Sequence, residues 1–404
     1  MEQRYFLFNN LSFYLLNDSV MRQLLILFVL LSISFYKSNG QVWGEKNDTS
    51  EVKVNYEAYV DFHYVADANR LQNNTRFSNS NPYFVNQFGL AYAYLQSDIQ
   101  YKNFFARAAI HSGEIVRVMY AGEDDYLTKV IRELSLTYRL TERFEFQGGI
   151  FPAIYGSETF INKDNLHATR ATMTDFAPDY ETGFRVKYKL GKHWQGTAQM
   201  TNGWQVIKEN NHSPGFGIVH VYDNPGKFLF NYGIFAGNEV YQSKNALDQF
   251  KFYHNLFARI YQGKWIFAPM VDVCFIDNPI THTKDQYEAY GLSVRYAINK
   301  AWGIAGRYEH INDPHAIINE LVSPNLPNGF INHGSTLTLE FAPARETTFR
   351  FEARYTTVNQ AAFEKHDGSL TTDDLFFMFS AAIKLRHRTF IEKFTEPFLK
   401  SQFQ

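Results

Sequence analysis

The sequence predicts an all-β fold: a transmembrane antiparallel up-and-down β-barrel of about 16 strands, with short periplasmic turns and long extracellular loops. Three observations carry that prediction. Long segments alternate apolar and polar residues, their connections alternate between short and long, and aromatic residues gather beside the short connections.

The first segment shows the alternation most plainly. Residues 51–65, EVKVNYEAYVDFHYV, put Val52, Val54, Tyr56, Ala58, Val60, Phe62 and Tyr64 on one face and Glu51, Lys53, Asn55, Glu57, Asp61 and His63 on the other. Its length suits a tilted membrane strand, which needs about 10 residues, better than a globular strand of about 5 to 6. The same texture recurs over 85–100, 104–113, 130–140, 144–151, 179–190, 194–203, 215–223, 228–237, 250–261, 265–276, 286–297, 301–311, 333–342, 348–358 and 374–385. The total is even, as single-chain bacterial barrels require.

Short connections fall at Lys102-Asn103, Thr141-Glu142-Arg143, Gly191-Lys192-His193, Asn224 to Lys227, Gln262-Gly263-Lys264, Asn299-Lys300 and Pro343 to Glu346. Between them lie longer polar segments such as 66–84, 114–129, 152–178, 238–249 and 312–332. A soluble sandwich or propeller has no reason to alternate in this way. Aromatics flank the short turns, among them Phe104, Tyr138, Trp194, Tyr222, Trp265, Tyr296, Trp302 and Phe341, as expected of a girdle at headgroup depth. Tyr261 is out of phase with its strand, which predicts a bulge or a misplaced boundary there.

Composition agrees with one large domain. Among 404 residues are 38 Phe and 26 Tyr, yet mean hydropathy is −0.33, so apolar and polar residues must be interleaved. The net charge of −2, without a basic stripe, argues against a nucleic-acid partner. A single cysteine, Cys274, leaves no internal disulfide framework and reads as a small apolar strand residue. From Met21 the chain reads MRQLLILFVLLSISFYKSNGQ, a basic start, an apolar run and small residues, so 21–40 is expected to be a secretory signal peptide and 1–20 an upstream mis-start. The barrel is expected over 41–385, with only about ten residues before its first strand and therefore no separate plug domain. Residues 386–404 are expected to form a C-terminal tail, either an amphipathic helix using Phe390, Ile391, Phe394 and Phe398 or a disordered segment.

Strand parity places charges of both signs in the lumen. The expected pore-lining set comprises Arg107, Arg139, Glu181, Arg185, Lys187, Arg259, Arg295, Arg307, Glu309, Arg350, Glu352 and Arg354, accompanied by Glu57, Asp61, Glu133, Asp179 and Asp272. Such groups stay hydrated in a water-filled interior and would be costly against lipid. The longest loop, 152–178, carries Glu158, Lys163, Asp164, His167, Arg170 and Asp175. Folded into the lumen it would form a constriction setting selectivity; left outside it is a solvated surface loop, and both readings stay open.

The sequence carries no specific catalytic pattern. His111 and Ser112 are adjacent in a strand and so point to opposite faces. The segment Glu309 to His315 contains oxygen and imidazole donors but matches no ligand-loop pattern, and neither HExxH nor a P-loop appears. No metal, cofactor or enzymatic activity is expected.

Several fragments carry a family resemblance: GGIFPAIYGSE (148–158), KDNLHATRATMTDFAPDYETGFRVKY (163–188), TNGWQVI (201–207), FKFYHNLFA (250–258) and LPNGF (326–330). Together they resemble the OmpL-like β-barrel porin family over essentially the whole mature chain. The resemblance implies a Gram-negative outer-membrane barrel and, by analogy, solute passage; it implies no catalytic residue. The expected function is passive diffusion of small hydrophilic solutes or ions, the alternative being a ligand-binding or receptor-like barrel acting through its extracellular loops. Expected partners are the outer-membrane bilayer with its lipopolysaccharide, the barrel-assembly machinery, small solutes and further copies of the chain. A slight excess of lumen Arg over acid hints at anion preference, a hint that a one-residue register error would erase.

Overall fold

A computed structural model of the chain describes residues 52–69, 76, 82–123, 125–239, 249–278, 281–318 and 329–388. The expected mis-start, signal peptide and most of the expected tail lie outside the described residues.

Sixteen antiparallel strands close into one barrel, each paired with its neighbours in sequence. They are β1 (Lys53–Asp67), β2 (Phe88–Tyr101), β3 (Phe104–Ser112), β4 (Ile131–Arg139), β5 (Phe144–Pro152), β6 (Tyr180–Lys189), β7 (Trp194–Thr201) and β8 (Gly215–Asn224) in the first half. The second half holds β9 (Phe228–Asn238), β10 (Phe250–Gln262), β11 (Trp265–Asn278), β12 (Thr283–Ala297), β13 (Trp302–Asp313), β14 (Phe330–Ala344), β15 (Thr347–Val358) and β18 (Asp373–Arg388). Two short strands between the last pair, β16 (Phe363–Glu364) and β17 (Leu370–Thr371), form their own ribbon. Closure comes from β1 against β18, in register from Asn55 opposite Arg388 to Asp67 opposite Phe376. Closure removes the exposed edges, so the strand backbones of the barrel find partners without water. The last strand runs to Arg388, three residues past the expected boundary at 385.

Burial follows parity. In β14 the pattern alternates over ten residues, Phe330, Asn332, Gly334, Thr336 and Thr338 inside and Ile331, His333, Ser335, Leu337 and Leu339 outside. The outer wall is apolar, with Phe62, Leu134, Phe184, Ile218, Leu292, Leu337, Phe351 and Phe377 all exposed. At the short-turn end its aromatics pair across strands: Phe104 with Tyr138 at 4.9 Å, Trp194 with Tyr222 at 5.0 Å, Trp265 with Tyr296 at 4.6 Å and Trp302 with Phe341 at 4.6 Å.

Two register shifts matter. Between β1 and β2, Asp61 faces Tyr92 while Phe62 faces Leu90, so Ala91 is an extra residue and is fully buried. Between β3 and β4, Ala109 faces Glu133 while Ile110 faces Ile131, leaving Arg132 as the extra residue. The bulge expected in β10 is absent: its pairing with β9 runs without a shift from Phe250 to Ile260. Tyr261 breaks the expected aromatic phase because it shares the parity of inward-facing Tyr253, Asn255 and Arg259.

Two connections at the other end are long and structured. Between β3 and β4 lie helices α1 (Glu114–Met119) and α2 (Tyr126–Lys129), and Asp125 caps the second by accepting from Leu127 N at 2.9 Å. Residues 153–179, between β5 and β6, contain two 3-10 turns, Asn162–Asp164 and Thr172–Phe176.

Candidate functional site

The 153–179 connection lies inside the barrel. Leu166, Ala168, Ala171, Met173, Phe176 and Ala177 are all buried, as are the polar Asn165, His167, Thr169 and Arg170. A loop can be buried only if its backbone polar groups find partners. Inward side chains of β13 and β15 supply such partners.

Arg350 donates to three loop carbonyls, those of Asn162 at 2.5 Å, Asn165 at 2.7 Å and His167 at 2.9 Å. Glu352 accepts from the backbone nitrogens of Ala168 at 2.7 Å and Thr169 at 3.1 Å and from the Thr169 hydroxyl. Arg307 donates to the Thr169 carbonyl at 2.9 Å and stands 3.4 Å from Glu158, which itself accepts from Ala171 N. Arg354 donates to the Arg170 carbonyl at 2.7 Å and pairs with Glu309 at 2.6 Å, and Glu309 accepts from Thr172 N at 2.6 Å. These five wall residues are at most 3% exposed. Their charges are neutralised by one another and by aligned backbone dipoles, the arrangement that makes burial of ions tolerable.

The loop is fixed at its start by shape. Tyr155 reaches the β8–β9 wall and donates to the Ile234 carbonyl at 3.1 Å. Inward-facing Gly217 and Gly233 leave it room: a Cβ on Gly217 would meet the Tyr155 hydroxyl at 2.0 Å and one on Gly233 would meet its ring at 2.9 Å. Gly156 follows with φ of +84°, and its nitrogen donates to Asn255 Oδ1 at 3.1 Å.

Aromatic packing fills the interior around the loop. Tyr155, Tyr253, Phe257, Tyr287, Ile311 and Phe330 belong to one cluster, and Tyr59, Tyr92, Tyr94, Tyr120, Phe160 and Tyr180 to another that includes α1. Open space remains at the short-turn end, as a cavity of about 860 Å³. Turn residues Lys102, Asn103, Arg345 and Glu346 stand at its mouth, and Pro152, Ala153, Ile154, Thr159, Ile161, Lys163 and Asp164 of the loop bound it inside.

Ten Lys or Arg and six Asp or Glu line this cavity, although the chain as a whole is slightly acidic. Five of the six acids are already in ion pairs. Asp98 binds Arg107 through two hydrogen bonds of 2.6 and 3.0 Å, and Glu133 lies 3.6 Å from the same guanidinium. Glu145 pairs with Arg139 at 3.0 Å, Asp164 with Lys384 at 2.5 Å, and Glu57 with Arg386 and Lys384.

The expected pore-lining residues therefore divide. Arg107, Arg139, Arg185 and Lys187 border the cavity. Arg307, Glu309, Arg350, Glu352 and Arg354 face inward but are covered by the loop. Arg295 pairs with Glu340 at 2.6 Å beside Arg350, Glu181 is fully buried and accepts from Gln199 at 2.7 Å, and Arg259 donates to the Ser157 carbonyl. Of the six loop residues, Lys163 and Asp164 reach the cavity. Arg170 braces the loop internally through Asp175 at 3.3 Å and Asp179 at 2.9 Å, and Glu158 serves Arg307. His167 is fully buried, 2.7 Å from the Thr338 hydroxyl; burial and then Arg307, Arg350 and Arg354 push its pKa well below the ordinary range.

Arg132 is the residue that sequence parity misses. As the extra residue of the β4 bulge it turns inward, donating to Gln96 Oε1 at 2.9 Å and packing over the Tyr94 ring at 4.6 Å. The available signal was the Arg132-Glu133 pair itself, since strict alternation would set one of the two charges against lipid.

No metal-binding group of three His, Cys, Asp or Glu occurs among the described residues. His111 is buried against the Tyr92 hydroxyl at 3.0 Å while Ser112 is exposed on the other face. Glu309 is inside the barrel, whereas His310 contacts His333 on its outer face.

Comparison with known proteins agrees with this architecture. No curated protein matches the sequence. Among solved structures, in-vitro folded OmpT, an outer membrane protein of Vibrio cholerae, is 11% identical with a TM-score of 0.53, covering 85% of this chain and 100% of that one. The anion-selective porin from Comamonas acidovorans is 9% identical with a TM-score of 0.54, covering 83% and 100%. The outer membrane channel DcaP of Acinetobacter baumannii is 13% identical with a TM-score of 0.52, covering 83% and 97%. At these identities the likeness is one of fold. The family of beta-barrel porin-2, OmpL-like proteins matches residues 53–385, and the chain belongs to this family of outer-membrane barrels.

Proposed function

We propose that this barrel is a porin, a non-catalytic route for passive diffusion of small hydrophilic solutes or ions. The observation that carries the reading is the charged cavity of about 860 Å³ inside a lipid-faced barrel, ended by an inward-folded loop. A charged interior of this size holds water, and a barrel of 16 strands is wide enough for an aqueous path. In this reading Arg107, Arg139, Arg185 and Lys187 line the vestibule and Lys163 and Asp164 form its inner edge. The residues of β13–β15 act indirectly, by fixing how far the loop reaches across the lumen.

The vestibule opens beside the short turns, the side assigned here to the periplasm, and the signal peptide at 21–40 would deliver the chain there. Lipopolysaccharide, the assembly machinery and further copies of the chain are its proposed partners. Planar-bilayer recording of the refolded full chain tests the reading. Discrete conductance steps that grow with KCl concentration are expected, smaller than an unobstructed barrel of this size would give. Absence of conductance from correctly folded protein contradicts it.

A further inference from the structure

We infer that the vestibule is a binding site for small polyvalent oxyanions, the phosphate and polycarboxylate class, reached from the short-turn side. The inference deepens the channel reading by naming a solute class, and rests on that reading only for its conductance arm.

Charge bookkeeping at the cavity is one-sided. Five of six acids are held in ion pairs, and Arg132, Lys163 and Arg185 are among the lining cations that have no carboxylate within ion-pairing distance among the described residues. Each comes from a different element, the β4 bulge, the inward loop and β6. Arg185 is 6% exposed and spends its donors on neutral acceptors, Gln147 Oε1 at 2.6 Å and the Pro152 carbonyl at 3.2 Å. Arg132 likewise meets a neutral amide and an aromatic face. Of the nearby acids, Glu133 is shared with Arg107, Ser135 and Gln147, and Glu181 with Gln199. Guanidinium groups kept out of bulk water and facing an open cavity favour a ligand with several negative oxygens over one with a single charge. A monovalent ion is held too weakly to compete with hydration, and a cation meets a wall where five of six acids are already neutralised.

The test uses the full chain refolded in an uncharged detergent, with inorganic tripolyphosphate and citrate as probes and titration calorimetry as readout. One site per chain is expected, weakening as salt rises, with citrate and tripolyphosphate competing for it. Arg185→Gln and Lys163→Gln are each expected to weaken binding about tenfold, the effect of about 1.4 kcal/mol of lost charge-assisted contact. The Lys163 side chain makes none of the hydrogen bonds by which Arg350 holds the neighbouring carbonyls, so Lys163→Gln guards against misfolding of the Arg185 variant. Absence of binding, or equal binding by wild type and both variants, overturns the inference whether or not the barrel conducts. In bilayers, tripolyphosphate is expected to block from the short-turn side at lower concentration than from the loop side; equal block from both sides also overturns it. A barrel that binds tripolyphosphate as described but never conducts refutes the porin reading and leaves the site standing.

Discussion

Two stretches of the same inner wall carry similar charges and use them in opposite ways. On β13–β15, Arg307, Glu309, Arg350, Glu352 and Arg354 are buried beneath the loop and spend their hydrogen bonds on it. On β3–β6, Arg107, Glu133, Arg139, Glu145 and Arg185 border an open cavity. Parity alone puts both sets inside. What separates them is the loop, which converts one wall into a clamp and leaves the other facing water. An inward charge in a barrel is thus a statement about facing, and its role depends on what else occupies the lumen.

The sharpest way to break the contrast is to remove one partner of a buried pair. Arg354→Ala removes the closer of the two guanidiniums beside Glu309, leaving Arg307 at 3.8 Å, and is expected to cost the docked loop about 3 kcal/mol, against about 0.2–1 kcal/mol for Arg139→Gln on the open wall. Protease cleavage within 153–179, compared between the two variants, reads the difference; equal resistance would erase the distinction between the walls. Gly217→Val ranks next. Its side chain would occupy the place of the Tyr155 hydroxyl, and overpacking of this kind costs about 1–3 kcal/mol. Hydrogen exchange is expected to rise at the start of the loop while the β8 and β9 strands stay protected.

Acid gives a subtler effect. Burial holds the folded pKa of His167 below that of the undocked state, so its contribution is complete above the ordinary histidine range near 6.5. As pH falls through that value the undocked form takes up a proton first, and docking weakens. Loop cleavage is therefore expected to increase between about pH 7 and 5 in wild type and to lose that dependence in His167→Asn. An unchanged profile in the variant would assign the acid response to other groups.

The difference between the two walls also marks how far the sequence could be read. All sixteen strand positions were legible, because period-2 alternation and short turns are local signals; β3 and β9 begin at the residues expected, Phe104 and Phe228. Single-residue departures were less legible. The β4 bulge inverts Arg132, and nothing in a run of alternating residues marks an insertion except the implausibility of a charge facing lipid. The clamp was not legible at all. Arg350 touches carbonyls of residues more than 180 positions away, and backbone carbonyls carry no sequence signature. The two glycines that admit Tyr155 belong to the same class, since each reads in isolation as an ordinary weak point in a strand.

If the clamped loop sets the aperture of the barrel, removing it must widen the path. Single-channel conductance of the full chain, compared with a variant in which residues 157–175 are replaced by a short Gly-Ser link, tests it most directly. A several-fold rise in conductance with loss of ion preference is the predicted result, since the variant opens the lumen from the vestibule to the far end. Conductance and ion preference unchanged by the replacement would contradict it.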